Sequence, residues 1–388
     1  MRNYFLTNIN HLLFMRRLLL LAMIVIILPF TAFSQGRLRD YGIAPGIFKT
    51  GTYNAITDVP GVKVGQVTII KGDDIRTGVT AIVPHEGNIF RKKCPAAIYI
   101  GNGFGKLAGY SQVKELGTIE TPIILTNTLS VAQGIEGLIT YTLKQYGNEN
   151  ARSVNAVVGE TNDSGLNDIQ KRVVTSKHIL EAISKASSGP VEEGSVGAGT
   201  GTICFGFKGG IGTSSRVIPA SLGGYTVGVL VQSNYGGVME IDGVPVGKLL
   251  NHYSFQKAVE TDLSPDGSCM MVVITDAPVD ARNLERMAKR AMLGLAKTGG
   301  IASNGSGDYV IALSVNKDNL IDENTKYYLP TLLHNEDMSA LFEATIEATA
   351  EALWNSLFKA TPVTGYKGYT SNPIPVDKVV EYIKAAKK

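Results

Sequence analysis

The chain has 388 residues, 44% of them hydrophobic and 18% charged, a balance that supports a sizeable folded core and excludes a disordered polyelectrolyte. Its formal net charge is +3 and its Lys and Arg residues are scattered, so it lacks the concentrated positive charge that a nucleic-acid partner requires. Its 43 glycines follow no period, which excludes collagen-like and repeat architectures and points instead to tight turns and close backbone approaches.

Residues 1–34 differ in kind from the rest. Arg16 and Arg17 precede an apolar run from Leu18 to Phe30, and Ala32-Phe33-Ser34 supplies a small-residue site before Gln35. A basic flank, a short apolar stretch and a small-residue site describe a signal peptide, and the run is short for a permanent membrane span. Translation could start at Met1 or at Met15. The expectation is a bacterial protein, periplasmic or secreted, whose mature part begins near Gln35.

From there, turns and short apolar runs alternate. Strands are predicted over 62–70, 80–83, 96–100 and 122–125. A helix is predicted over 130–146, carried by Val131, Ile135, Leu138 and Leu143 and stopped at Gly147. A strand over 153–158, a second amphipathic helix over 168–185 and a loop over 187–201 come next. Strands at 202–207 and 225–231 follow, and then a continuous apolar strand at 270–275, a pattern that implies burial on both faces. The remaining elements are a helix at 281–297, a strand at 309–314, a long helix at 338–360 containing Trp354, and a short helix at 376–386. No linker interrupts this series, so one domain of α/β or layered α+β class is expected over 35–388.

The search for chemistry begins with exclusions. Cys94, Cys204 and Cys269 show no paired spacing and read as buried free thiols. His11, His85, His178, His252 and His334 are far apart, so neither a metal site nor a cofactor is expected. No G-x-S-x-G elbow with a later acid and His is present. The run Gly197-Ala198-Gly199-Thr200-Gly201-Thr202 precedes a strand instead of following one and opening a helix, so it reads as a closely packed turn and not a phosphate loop. Three polar clusters remain at the ends of apolar strands: Gln232-Ser233-Asn234-Tyr235, Asp266-Gly267-Ser268, and Ser303-Asn304-Gly305-Ser306-Gly307-Asp308. They can converge at one edge of a sheet.

At this point the chain resembles the L-aminopeptidase/D-esterases and β-peptidyl aminopeptidases, the P1 or S58 peptidases. The matching stretches run through nearly the whole mature length. They include Asn54-Ala55-Ile56-Thr57-Asp58-Val59-Pro60-Gly61-Val62, Arg76-Thr77-Gly78-Val79-Thr80, Gly101-Asn102-Gly103, Thr126-Asn127-Thr128, Gly159-Glu160-Thr161 and Leu166-Asn167-Asp168. The resemblance implies an αββα sandwich of the N-terminal-nucleophile hydrolase kind, with two central mixed sheets between helical layers. It implies self-cleavage between Gly267 and Ser268 into a large chain, 35–267, and a small chain, 268–388, and a homo-oligomer of processed pairs. Ser268 is then the nucleophile, Ser306 its hydrogen-bond partner, Asp308 the orienting acid and Asn234 the oxyanion donor. Glu160 is the acid that binds the free amino group of a short peptide, amide or ester substrate.

The physics of that scheme is coherent. Glycine at 267 tolerates the backbone needed to bring hydroxyl and carbonyl together. The α-amino group freed by cleavage, with an ordinary pKa of about 8, can serve as base where no His is at hand. The sequence departs from the better-known members after Glu160, where Asn162 and Ser164 stand in place of an aromatic residue. Substrate choice among L-, D- and β-residues is therefore open. The competing readings are an acyltransferase of the ornithine acetyltransferase type, which uses Thr where this chain has Ser268, and a non-catalytic binding protein on the same scaffold.

Overall fold

The structure is a computed structural model that describes residues 35–256 and 267–388; the signal-peptide reading at 1–34 lies outside the described residues. The strands in chain order are β1 (Lys63–Lys71), β2 (Ile75–Val83), β3 (Lys92–Gly103), β4 (Thr118–Ile119), β5 (Ile123–Asn127) and β6 (Val157–Thr161). They continue with β7 (Ile203–Cys204), β8 (Phe207–Lys208), β9 (Gly210–Val217), β10 (Thr226–Asn234), β11 (Ser268–Thr275), β12 (Gly307–Ser314) and β13 (Ile321–Asp322). One sheet has the order β1-β2-β5-β6; the other has the order β13-β3-β12-β11-β10-β9, with β4 paired to β3. Both are mixed, because β5–β6 and β11–β12 are parallel while their other neighbours run antiparallel.

The helices Val131–Leu143 and Ser176–Ser184 pack on the smaller sheet, and Ala281–Lys297 and Ser339–Phe358 on the larger. The result is four layers with three apolar seams. The strand β11 shows how sequence builds two of those seams at once. Met270, Val272 and Ile274 face the seam between the sheets, beside Ile98, Leu125 and Val157. Their alternates Cys269, Met271 and Val273 lie under the helices, among Leu284, Met287 and Leu353. A strand buried on both faces has no polar alternation, hence its continuous apolar run. The αββα sandwich expected from the resemblance is the fold observed. All three cysteines are buried and free, and no helix among the described residues is long and apolar enough to cross a membrane.

Where periodicity and caps agree, the elements fall as expected. The helix Ala281–Lys297 starts at Asp280, whose carboxylate accepts from the Asn283 N–H, and its buried Leu284, Met287, Ala288, Ala291 and Leu295 follow the helical repeat. The helices Tyr110–Leu116 and Val246–Leu249 have no counterpart among the predicted elements, and three further regions differ. In the stretch 168–185 the α-helix is confined to Ser176–Ser184, after a single 3-10 turn at Ile169–Lys171, because Arg172 takes a left-handed φ of 47° and the α-helix starts at Thr175, whose N–H is accepted by His178 Nδ1. The stretch 202–207 is a tight hairpin, β7–β8, and not a core strand. The strand β9 has no counterpart among the predicted elements.

That last strand reads Gly-Ile-Gly-Thr-Ser-Ser-Arg-Val, with Thr213, Ser214, Ser215 and Arg216 all fully buried. Small residues are required because the long helix approaches closely: a methyl group at Gly212 would stand 1.9 Å from the Ala352 carbonyl oxygen. Arg216 is tolerated because Nε pairs with Glu347 Oε2 at 2.7 Å and a terminal nitrogen with Glu351 Oε2 at 2.8 Å. Arg39 brings a second cation to Glu351 at 2.7 Å, tying the single-turn helix Leu38–Tyr41 to the long helix.

Replacing Arg216 by Met leaves Glu347 buried without its cation, which should destabilise the protein by about 3–5 kcal/mol. The denaturant midpoint of Arg216→Met measures this, and a midpoint equal to that of the wild type would refute the structural role given to the ion pair.

Candidate active site

The register of the larger sheet assembles the site. Asn234, the last residue of β10, stands opposite Ser268, the first residue of β11, and Ser268 stands beside Gly307, the first residue of β12. The three polar clusters of the sequence therefore meet at one edge. Ser268 is buried, at 5% exposure, and its hydroxyl accepts a hydrogen bond of 3.3 Å from Asn234 Nδ2. The Asn234 carbonyl oxygen in turn accepts from the Ile203 N–H at 3.0 Å, which turns the amide so that its N–H groups face Ser268.

Gly267 is held from both sides. Its carbonyl oxygen accepts from the Gly307 N–H at 3.2 Å. A methyl group added at Gly267 would lie 3.1 Å from Tyr235 Cα and 3.3 Å from Ser306 Oγ, so a side chain here would crowd the Ser306 hydroxyl. The loop carrying Ser306 is gathered by Asn102, whose amide donates to the carbonyls of Ser303, Asn304 and Ser306. Phe104 N–H adds a bond of 3.1 Å to the Ser306 carbonyl.

Asp308 is fully buried behind Ser268, opposite Cys269 in the ladder. Neither its carboxylate nor the Ser306 hydroxyl has a partner of good hydrogen-bond geometry among the described residues. Burial raises its pKa to about 6, and the nearby Ser306 hydroxyl pulls the other way.

Glu160 sits on β6, on the smaller sheet. Its carboxylate accepts from the Lys106 N–H at 2.9 Å and from the Thr128 hydroxyl. Burial raises its pKa, and those two bonds offset part of the rise. Glu160, Asn162, Asn234, Gly267 and Ser268 all line one cavity of about 590 Å³. Ser306 and Asp308 are not among the wall residues; they lie behind Ser268. A buried carboxylate and an amide-bonded serine facing one cavity can hold an ammonium group at one point and attack a carbonyl at another. Among the described residues, no three His, Cys, Asp or Glu side chains gather to hold a metal ion.

Four aromatic wall residues were not singled out from the sequence: Phe104, Phe205, Tyr253 and Phe255. Ser164, which was, lies beside Asn162, its N–H donating to Asn162 Oδ1 at 2.9 Å. Asn102 and Thr128 lay inside matching stretches, but what each one touches comes from a distant segment. Only Phe104, 67% exposed beside two glycines, carried a signal of its own: an aromatic in a loop with nothing local to cover it.

Comparison with known proteins gives the chain's kinship. The model of peptidase family S58 matches residues 54–371. The beta-peptidyl aminopeptidase BapA of Sphingosinicella microcystinivorans is 39% identical over 360 residues, covering 87% of this chain and 89% of that protein. The beta-aminopeptidase of Burkholderia sp. superposes with a TM-score of 0.82 at 37% identity, over 90% of this chain and 99% of that one. The L-aminopeptidase D-Ala-esterase/amidase of Ochrobactrum anthropi, a variant of the Ntn hydrolase fold, gives 0.82 at 31% identity over the same shares.

The pKa of Asp308 stands above its ordinary 3.8, so ionising it costs folding free energy that is absent below 3.8 and complete above about 6. Asp308→Asn should therefore melt above its parent at about pH 8, with the gap narrowing towards about pH 4. Both proteins are best compared in a Ser268→Ala background, so that they share one covalent state. A gap independent of pH in thermal melts would contradict a buried, unpaired acid.

Proposed function

This chain belongs to peptidase family S58 and is a serine aminopeptidase, and from that premise we propose that it is exported, cuts its own backbone between Gly267 and Ser268, and then uses Ser268 to release N-terminal residues from short peptides, amides or esters. What carries this reading is the register that sets Asn234 against Ser268 at 3.3 Å, with Glu160 on the wall of the same cavity.

In the first stage the Ser268 hydroxyl attacks the Gly267 carbonyl carbon. The C–N bond breaks, the nitrogen takes the proton, and an ester links Gly267 to Ser268. Water hydrolyses that ester, leaving a carboxylate on Gly267 and a free amine and hydroxyl on Ser268. The strands β10 and β11 are hydrogen-bonded along their length, which would keep the two products together after the cut. Exposed Tyr327, Leu329 and Leu332 offer apolar surface for the homo-oligomer of processed pairs.

In turnover, Glu160 holds the substrate ammonium and thereby limits attack to the first peptide bond. The liberated Ser268 amine takes the hydroxyl proton, Ser306 and Asp308 orient the pair, and Asn234 donates to the oxyanion. A donor of this kind contributes about 3 kcal/mol where its loss has been measured in other hydrolases. Position is fixed by the ammonium and the carbonyl, so L-, D- and β-residues differ in how they span from Glu160 to Ser268. The kinship with a beta-peptidyl aminopeptidase makes β-residues the first substrates to try.

On a denaturing gel the purified protein should give two bands, with the smaller beginning at Ser268 by N-terminal sequencing, while Ser268→Ala stays whole. A single intact wild-type band refutes self-cleavage. Processed protein should hydrolyse a p-nitroanilide of β-, L- or D-alanine, and no release from any of the three counts against the aminopeptidase. Glu160→Gln should process normally and raise KM about 10- to 100-fold, as expected for removing a charged partner. Loss of processing in that variant would assign Glu160 to folding instead.

A further inference from the structure

A buried lysine underlies the orientation of Asn234. Lys208 is fully buried, and its Nζ donates to the Gly199 carbonyl at 2.8 Å and to the Gly209 carbonyl at 2.7 Å. It does not line the cavity. Gly199 closes the single-turn helix Gly197–Gly199, and Lys208 stands opposite Ile203 in the β7–β8 hairpin. The ammonium thus pins the foot of the hairpin to the glycine-rich turn beneath it.

The hairpin needs such an anchor. Its tip, Phe205-Gly206, takes left-handed φ values of 53° and 77°. For Phe205 that conformation is strained, and it persists only where the surroundings impose it. Phe205 N–H donates to the Tyr235 carbonyl at 2.6 Å, and its ring meets the Tyr235 ring edge-on with centroids 4.9 Å apart. Two residue pairs below the tip, Ile203 N–H supplies the bond that orients the Asn234 amide, and Asn234 Nδ2 reaches the Ser268 hydroxyl. An unbroken chain of contacts therefore runs from the Gly199 and Gly209 carbonyls through Lys208 and Ile203 to Asn234.

We propose that Lys208 is a positioning residue of this enzyme, which fixes the β7–β8 hairpin and through it aims the Asn234 amide at the oxyanion formed on Ser268. The proposal rests on the aminopeptidase reading above. Burial lowers the pKa of Lys208 to about 7, and a neutral amine keeps two N–H groups, so both carbonyls stay bonded whether or not the group is charged.

A double-mutant cycle on the full-length protein tests this, with rates normalised to the processed fraction seen on a gel. Lys208→Met keeps the bulk and removes the donors; Lys208→Gln retains a shorter donor and serves where Met prevents folding. Either variant should lower kcat about 10- to 100-fold, with KM changed by less than about twofold because the Glu160 end of the cavity is untouched. In an Asn234→Ala background the same substitution should change kcat by less than about twofold, since no amide is left to misalign. Losses that multiply across the cycle, or an unchanged kcat in the single variant, overturn the proposal while leaving the aminopeptidase intact. An inactive wild type in the same assay sinks both.

Discussion

Because β11 is bonded antiparallel to β10 and parallel to β12, one strand ends and two begin at the same edge of the sheet. The placing of Ser268 against Asn234 and Gly307 depends on that register, and a slip of one residue would turn Ser268 to the opposite face. The apolar pattern of β11 cannot hold the register by itself, since both its faces are buried among hydrophobic residues. Polar bonds at the far end do so. Thr275 donates to the Thr226 carbonyl at 2.8 Å, and Asp276 accepts from the Thr226 N–H at 2.8 Å. A clamp at one end of the strand thus helps to place Ser268 at the other.

The site is also where the fold accepts polar groups it would otherwise exclude. Asp308 and Glu160 are buried with raised pKa values, and Asp163, near the cavity wall, is pushed up to about 7 by complete burial. Asp163 Oδ2, Thr161 Oγ1 and Gln232 Oε1 are buried without a partner among the described residues. Lys208 adds a cation to this region, and Phe205 adds a strained backbone. Elsewhere buried charge is matched by opposite charge, as at Arg216 with Glu347 and Glu351. Unmatched polarity contributed by both sheets around one cavity marks a region shaped by chemistry more than by stability.

What could be read in the sequence follows from the same contrast. The helix Ala281–Lys297 was legible to its ends because an apolar stripe and an Asp cap coincide there. The strand β9 was not, because its fitness comes from allowing a helix close and from an ion pair with residues more than a hundred positions away. Ser268, Asn234, Ser306 and Asp308 were legible only as polar ends of apolar strands, together with the family resemblance. The register that joins them is a property of the sheet. Lys208 carried no signal, since a single lysine in a glycine-rich stretch reads as exposed until its two carbonyl partners are seen.

The residues after Glu160 illustrate how a cavity can keep its character while one wall changes. Asn162 and Ser164 make the strip beside Glu160 polar, where an aromatic ring was expected from the resemblance. Aromatic residues nevertheless line the cavity from four other segments: Phe104 after β3, Phe205 at the hairpin tip, Tyr235 after β10, and Tyr253 with Phe255 ahead of residues 257–266. The apolar surface is thus carried by elements adjoining Ser268 and Asn234, and not by the strand that carries Glu160. A substrate would accordingly be sorted less by the wall next to its amino group than by the hairpin and loops around the bond being cut. The hairpin anchored by Lys208 contributes both to that surface, through Phe205 and Ile203, and to the aim of Asn234, so recognition and catalysis share one support.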